Sequence, residues 1–275
     1  RRVRFARRVH RGRRARRRWR PALRFNRPFR YGVVFALIAF SAVTAFGTER
    51  GTAQTELLRR MVDTIDLQGL DTLSSKDVWE RVTLFTKPGA RTSDGLLESD
   101  ELALLESGWF SSAQAELSPT RYGLTVRYRV QENHRVTDLA IAPSQAFSPD
   151  ELRRLISQPI NRILNLSLVN DSVRRINQAY QEKGFQLCEV SSVHFDAATG
   201  VLSVLLREPH IEAIDIAGNE KTQAHIIVRE MQSRPGDIFN AQTLRKDRNR
   251  IVRLGYFSAV SNPELIPGSD PDRIR

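Results

Sequence analysis

The sequence predicts an α+β protein of three tandem units, each reading β-α-α-β-β, behind a basic N-terminal leader. Three observations predict it. A glycine followed by aromatic residues occurs three times, as Gly108-Trp109-Phe110, Gly184-Phe185 and Gly255-Tyr256-Phe257, the glycines 76 and 71 residues apart. Before each phrase apolar residues recur at helical spacing, and after it they alternate as in a half-buried strand. Two helices of about ten residues can cover only one face of a three-stranded sheet, which makes each unit a two-layer sandwich. Units this small are marginal alone, so packing between neighbours is expected to matter.

The second unit, residues 135–209, is the clearest. An apolar strand runs from Val136 to Ala142. Ser148 is an N-cap, Pro149 sits at the first helical position, and Glu151 completes a capping box. Val169, Val173, Ile176 and Tyr180 mark a second helix, with Gly184 as its C′ residue. Strand Phe185–Phe195, turn Ala197–Gly200 and strand Val201–Arg207 follow. In the first unit, residues 63–134, the order is strand Thr64–Leu67, helices near Ser75–Leu84 and Leu96–Ser107, and strands Ser112–Leu117 and Leu124–Val130. Leu124, Val126, Tyr128 and Val130 alternate with Thr125, Arg127 and Arg129, a strand with one wet face. The third unit, residues 210–275, reads as strand Ile211–Ile216, a turn at Gly218-Asn219, helices near Gln223–Met231 and Ala241–Leu254, and a strand start at Ser258. Its last strand is expected to be missing. The glycine of each closing phrase is expected to supply positive φ after the helix, and the aromatic to plug the core.

The leader, residues 1–53, carries the basic character. Of 43 Lys and Arg, 15 are arginines within residues 1–30, and no acidic residue precedes Glu49. The remainder holds 28 basic against 31 acidic side chains, so the net charge of +12 does not describe the repeat region, which has no overall attraction for phosphate backbones. Nucleic acid is therefore not an expected partner. An uncharged run, Tyr31 to Phe46, follows the arginines; as a helix it would reach only about 24 Å, short of a hydrocarbon core of about 30 Å. With the small residues Ala45, Gly47 and Ala53 behind it, the segment reads as an export signal, cleaved between about Thr48 and Thr55. An uncleaved anchor with cytoplasmic arginines is the competing reading.

Signals for chemistry are sparse. Cys188 is the only cysteine, which excludes a disulfide-stapled scaffold, and it sits in an apolar context suited to an inert thiol. The five histidines lack ligand spacing for zinc. Phosphate-cradling loops are absent, Asp215 and His225 have no nucleophile placed to complete a triad, and Glu98, Asp100, Glu101 and Glu106 read as one solvated helix face. An enzyme is not expected, nor a cofactor.

The repeat, with a "LGYF" phrase before the second strand, resembles the POTRA (polypeptide-transport-associated) domain. Residues 214–260 carry the resemblance to the BamA-like barrel-assembly family nearly end to end, through Gly218-Asn219, Pro235-Gly236-Asp237-Ile238-Phe239 and Leu254-Gly255-Tyr256-Phe257. Arg162-Ile163-Leu164-Asn165-Leu166 and Pro267-Gly268-Ser269-Asp270-Pro271 are similar to its cyanobacterial and plastid branch. The resemblance implies three POTRA domains, the third truncated, on the periplasmic or equivalent side of an outer membrane, with a barrel following. It implies binding of unfolded outer-membrane proteins or preproteins and of accessory assembly subunits. The alternative is a single-pass, FtsQ-like divisome scaffold, but that family carries one POTRA unit. The expected mechanism is β-augmentation on the strand after each closing phrase, with Ser112, Gln114, Glu116, Leu187, Glu189, Ser191, Ser258 and Val260 as client-binding positions.

Overall fold

Alternation along Leu124–Glu132 puts Leu124, Val126, Tyr128 and Val130 on one face, and all four are buried. A strand so apolar on one side becomes the centre of its sheet. In the computed structural model, which describes residues 57–275, this strand (β3) lies between β1 (Val62–Gln68), to which it runs parallel, and β2 (Phe110–Pro119), to which it is antiparallel. Helices α1 (Ser75–Trp79) and α2 (Asp94–Glu106) cover the apolar face, with Val78, Leu97 and Leu104 fully buried against Phe110 and Tyr128. The leader, with its expected signal and cleavage segments, lies outside the described residues.

A short antiparallel pair, β4 (Arg135–Val136) and β6 (Arg162–Ile163), leads into the second sheet. There β8 (Val201–Arg207) is central, parallel to β5 (Asp138–Ile141) and antiparallel to β7 (Glu189–Asp196). The helices are α3 (Pro149–Leu155) and α4 (Leu166–Glu182). The capping box at α3 forms as its sequence predicts: Ser148 Oγ accepts the Glu151 N–H at 3.3 Å, and Glu151 accepts the Ser148 N–H at 2.8 Å. Along α4, Val169, Ile176 and Tyr180 are buried.

The third unit has α5 (Ala224–Glu230), α6 (Ala241–Arg253) and a two-stranded parallel sheet, β9 (His210–Ile211) with β10 (Arg273–Ile274). Residues 266–268 pair back onto 273–275, with reciprocal Ile266–Arg275 hydrogen bonds of 2.8 Å. Two expected strands are corrected here. Ser258–Ser261 is not a strand, and the expected Ile211–Ile216 shrinks to its start. Both need a central strand opposite them, and β10 spans only two residues where β3 and β8 span nine and seven.

Two smaller corrections concern loops. The first helix ends at Trp79 rather than near Leu84, because the Phe85 and Thr86 N–H groups are drawn to the Asp100 carboxylate on α2. Strand β7 begins at Glu189 rather than Phe185; the residues between form a turn, closed by the Cys188 N–H on the Phe185 carbonyl at 3.1 Å.

Candidate functional site

In both complete sheets the strand after the Gly-aromatic phrase, β2 or β7, is an edge strand paired on one side only. Each has one rung that identifies which backbone groups face outward. The Ala115 N–H is taken by Glu101 of α2 at 2.7 Å, and the Val190 N–H by Asn177 of α4 at 2.8 Å. Neither group therefore points at the central strand. Antiparallel alternation then assigns the outward N–H and C=O groups of β2 to Ala113, Ala115 and Leu117, and those of β7 to Val190, Val193 and Phe195. A bulge at Ser111, and another at Ser191, resets the parity on either side of it.

The sequence-predicted positions separate accordingly. Ser112 and Gln114 are exposed and Glu116 is half-buried, all on the wet face, but their backbone groups face β3. Glu116 bonds Arg129 across the sheet at 3.1 Å, and Glu189 meets Arg207 at 3.3 Å. Ser191 sits in the bulge, its hydroxyl donating to the Leu205 carbonyl at 3.2 Å. Leu187 is corrected: it lies in a turn and packs against Ile211, Phe239 and Ala241 of the third unit. Ser258 is exposed and Val260 half-buried in the irregular segment that replaces the third edge strand.

The closing phrases are architectural in part. Gly108, Gly184 and Gly255 have φ of 85°, 89° and 70°, as does Gly218 at the expected turn with 81°, where Asn219 donates to the Thr222 carbonyl at 2.8 Å. Phe110 is buried, Trp109 lies under Arg81 at 5.3 Å, Phe185 packs beside Tyr180, and Phe257 joins the Ile227 cluster. Tyr256 departs from the expected core plug: it is 66% exposed.

Gly108 and Gly184 also form joints between units. The carbonyls of Glu106, Ser107 and Gly108, which end α2, accept from Ser167 Oγ at 2.9 Å, Asn165 Nδ2 at 3.0 Å and the Leu166 N–H at 2.9 Å. Those of Glu182, Lys183 and Gly184 accept from Gln242 Nε2 at 3.2 Å, Asn240 Nδ2 at 2.9 Å and the Ala241 N–H at 2.9 Å. In both cases an N-cap Asn also accepts from its own first turn, Leu168 or Thr243, at 3.0 Å. Orphan carbonyls at one helix end thus meet orphan donors at the next.

Residue patterning does not reveal the roles of several polar side chains of this framework. Asp100, expected on a solvated face, is fully buried and accepts from Tyr128 Oη at 2.6 Å and the Thr86 N–H at 3.1 Å. Asp247 is likewise fully buried, bonding the Gln232 and Ser233 N–H groups at 2.7 and 2.9 Å. Each lies eight residues before its closing glycine, and Glu101, Asn177 and Arg248 lie seven before. Arg248 donates to the carbonyls of Val260 at 2.8 Å and Ser261 at 3.1 Å. Offsets measured from the glycines would have found these residues.

Carboxylates 24 residues after the first two glycines bind the loop behind the first strand. Glu132 accepts from the Thr72 and Leu73 N–H groups at 3.0 and 2.8 Å, and Glu208 from the Gln145 N–H at 2.9 Å and Tyr180 Oη at 2.8 Å. Burial, reinforced by the Asp100 and Glu208 carboxylates, raises both Tyr128 and Tyr180 phenols, so they remain proton donors. The buried Cys188 thiol is pushed up to about 12, chiefly by burial and then by Glu208.

Among the described residues no group of three or more His, Cys, Asp and Glu is placed to hold a metal, and no helix is long and apolar enough to cross a membrane. A cavity of about 540 Å³ opens on the third unit, lined by Ile214, Ile227, Phe239, Ile251 and Phe257.

Residues 209–274 match the POTRA family model described as a surface antigen variable number repeat, and residues 134–208 match the POTRA domain of ShlB type. Over 159 residues the chain is 31% identical to a putative outer membrane protein assembly factor of Treponema pallidum, covering 55% of this chain and 19% of that protein. Over 262 residues it is 22% identical to the outer membrane protein assembly factor BamA of Nitratidesulfovibrio vulgaris, covering 86% of this chain and 32% of that one. The chain therefore spans about a third or less of the length of these relatives. The N-terminal domain of Omp85 from the cyanobacterium Thermosynechococcus elongatus superposes with a TM-score of 0.60 at 23% identity, over 78% of this chain and 93% of that one.

Proposed function

We propose, from the premise that this chain is a BamA-like POTRA region of an outer-membrane assembly factor, that it captures unfolded barrel polypeptides by pairing their backbones with β2 and β7. The observation that carries this reading is the edge position of both strands, each with outward donors and acceptors. Backbone pairing binds an extended client without requiring a particular sequence, which suits a receptor for many clients. Ser112, Gln114 and Ser191 would line the wet face of the added strand, with Glu116 and Glu189 held by their arginine partners. Ser258 and Val260 would join them once a partner orders the third edge. This region would face the periplasm or an equivalent space and meet accessory subunits there. Three successive units weigh against a one-unit divisome scaffold.

The test compares two prolines on one strand. Val193→Pro removes an outward N–H, whereas His194→Pro removes one that pairs with Ser203 of β8. Val193→Pro should keep the circular dichroism of the parent and lose crosslinking of an unfolded barrel polypeptide to β7. His194→Pro should destabilise the sheet itself. Undiminished capture by a folded Val193→Pro protein refutes pairing at this edge.

A further inference from the structure

The edge strands are not wholly open. In each unit the residue seven before the closing glycine reaches from the second helix to the backbone of the edge segment: Glu101 to the Ala115 N–H, Asn177 to the Val190 N–H, and Arg248 to the Val260 and Ser261 carbonyls. The three side chains differ in charge and in hydrogen-bonding sense, yet the target stays within five to seven residues after the glycine. A helix residue that only covered the core would have no reason to satisfy a backbone group in the plane of the sheet. An open edge, by contrast, invites pairing with any chain, and occupying one of its rungs suppresses that.

We propose that Glu101 and Asn177 are latches on the client edge: each must leave its backbone N–H before an extended polypeptide can pair along the full strand. This rests on the edge-pairing reading above. Ala115 is the middle of the three outward rungs of β2, so a client bound beside a closed latch pairs only in part. A client carbonyl arriving at the Ala115 N–H replaces Glu101 Oε1 like for like. The latch therefore costs about one net hydrogen bond of client affinity and holds the unliganded edge against self-association. Arg248 shows that the third unit has the same device in the opposite sense, guarding carbonyls rather than an amide. The latch position thus differs in chemistry from unit to unit while its place relative to the glycine is kept.

The experiment uses the full chain with Glu101→Ala and Glu101→Gln. Hydrogen exchange reads the latch, and a fluorescein-labelled peptide of about ten residues, alternating apolar and polar like a barrel strand, reads the edge. In the parent, the Ala115 amide should exchange more slowly than the outward Ala113 amide on the same strand. Glu101→Ala should abolish that difference and tighten peptide binding about two- to tenfold, the equivalent of one net hydrogen bond. Glu101→Gln, which keeps an acceptor oxygen, should restore both values toward the parent. If Ala115 exchange accelerates in Glu101→Ala and the peptide crosslinks to β2 with unchanged affinity, the latch does not gate the edge and the proposal is wrong. If the peptide crosslinks elsewhere in the parent and in Glu101→Ala alike, edge pairing itself fails and the latch proposal falls with it. Equal exchange of Ala113 and Ala115 in the parent also overturns it.

Discussion

Substituting alanine at Gly184 and at Gly255 separates a backbone requirement from a joint between units. Both glycines hold positive φ, 89° and 70°, so alanine at either suffers the left-handed strain of about 1–2 kcal/mol. Only Gly184 is also crowded. A Cβ there would stand 2.7 Å from Asn240 Oδ1 and from Gln242 Cγ, whereas at Gly255 nothing among the described residues lies within 4 Å. Relieving that crowding pushes away the start of α6 and strains three hydrogen bonds, to the carbonyls of Glu182, Lys183 and Gly184. At about 1 kcal/mol net for each, Gly184→Ala should lose about 4–5 kcal/mol in all, against about 1–2 for Gly255→Ala. Urea unfolding read by circular dichroism measures both. Gly184→Ala should also free the third unit from the second, detected as faster exchange of the Ala241 amide. Equal losses for the two variants would falsify the joint.

Four further outcomes follow from named contacts. Asp100→Ala strands the Tyr128 hydroxyl and the Phe85 and Thr86 amides in the core and should cost about 3–5 kcal/mol by thermal melting, with Asp100→Asn costing less because one acceptor remains. Asp247→Ala should do the same in the third unit through Gln232 and Ser233. The Cys188 thiol, buried and raised to about 12, should resist maleimide at neutral pH until denaturant is added; rapid native labelling would contradict its packing with Phe147, Ile176 and Tyr180. Glu151 is held down to about 2, from 4.5, by the Ser148 N–H and then by Lys183. As a depressed acid its contribution is complete above 4.5 and lost as pH falls toward about 2, so Glu151→Gln should flatten the acid limb of the stability profile across that window alone.

The parts of the fold legible in sequence are those set by local periodicity. Strand β8 runs Val201–Arg207 as its alternation predicts, and α3 begins at Ser148-Pro149 because the cap, the proline and Glu151 all act within four residues. The parts that were not legible depend on partners distant in sequence. Asp100 shares its helix with Glu98 and Glu106, both exposed, and nothing local marks it as the buried one. Its burial is made possible by amides 14 and 15 residues upstream and a phenol 28 downstream. The edge positions illustrate the same limit. The polar side chains of Ser112, Gln114 and Glu116 mark the wet face, but the side-chain face of a strand and the direction of its N–H groups are separate alternations. A bulge at Ser111 and the Glu101 contact fix the second, and neither is visible from residue types.

The repeat's constancy and its variation lie on adjacent positions. Eight residues before the glycine the side chain points into the core and is Asp100, Ile176 or Asp247; where the second unit has isoleucine, Ser172 takes over by accepting the Ser157 N–H at 2.8 Å. Each unit therefore ties the end of its first helix to its second. One residue on, the helix turns about 100° and the side chain meets the edge strand instead. That position tolerates a carboxylate, an amide and a guanidinium, because any of them can satisfy one backbone group or another. It lies two helical turns before the glycine, and the first two glycines end at a joint. A unit's edge and its contact with the next unit are thus carried by the same helix. Motion at the Gly184 joint, where α4 meets α6, should reach Asn177 before it reaches the core, since α4 is otherwise held by Ile176 and Tyr180 packed beneath the sheet. The Val190 amide is therefore the sensitive reporter: loosening the joint with Asn240→Ala should speed its exchange more than that of any amide paired to β8. A uniform acceleration across the second unit would mean instead that the joint supports the whole unit and not its edge.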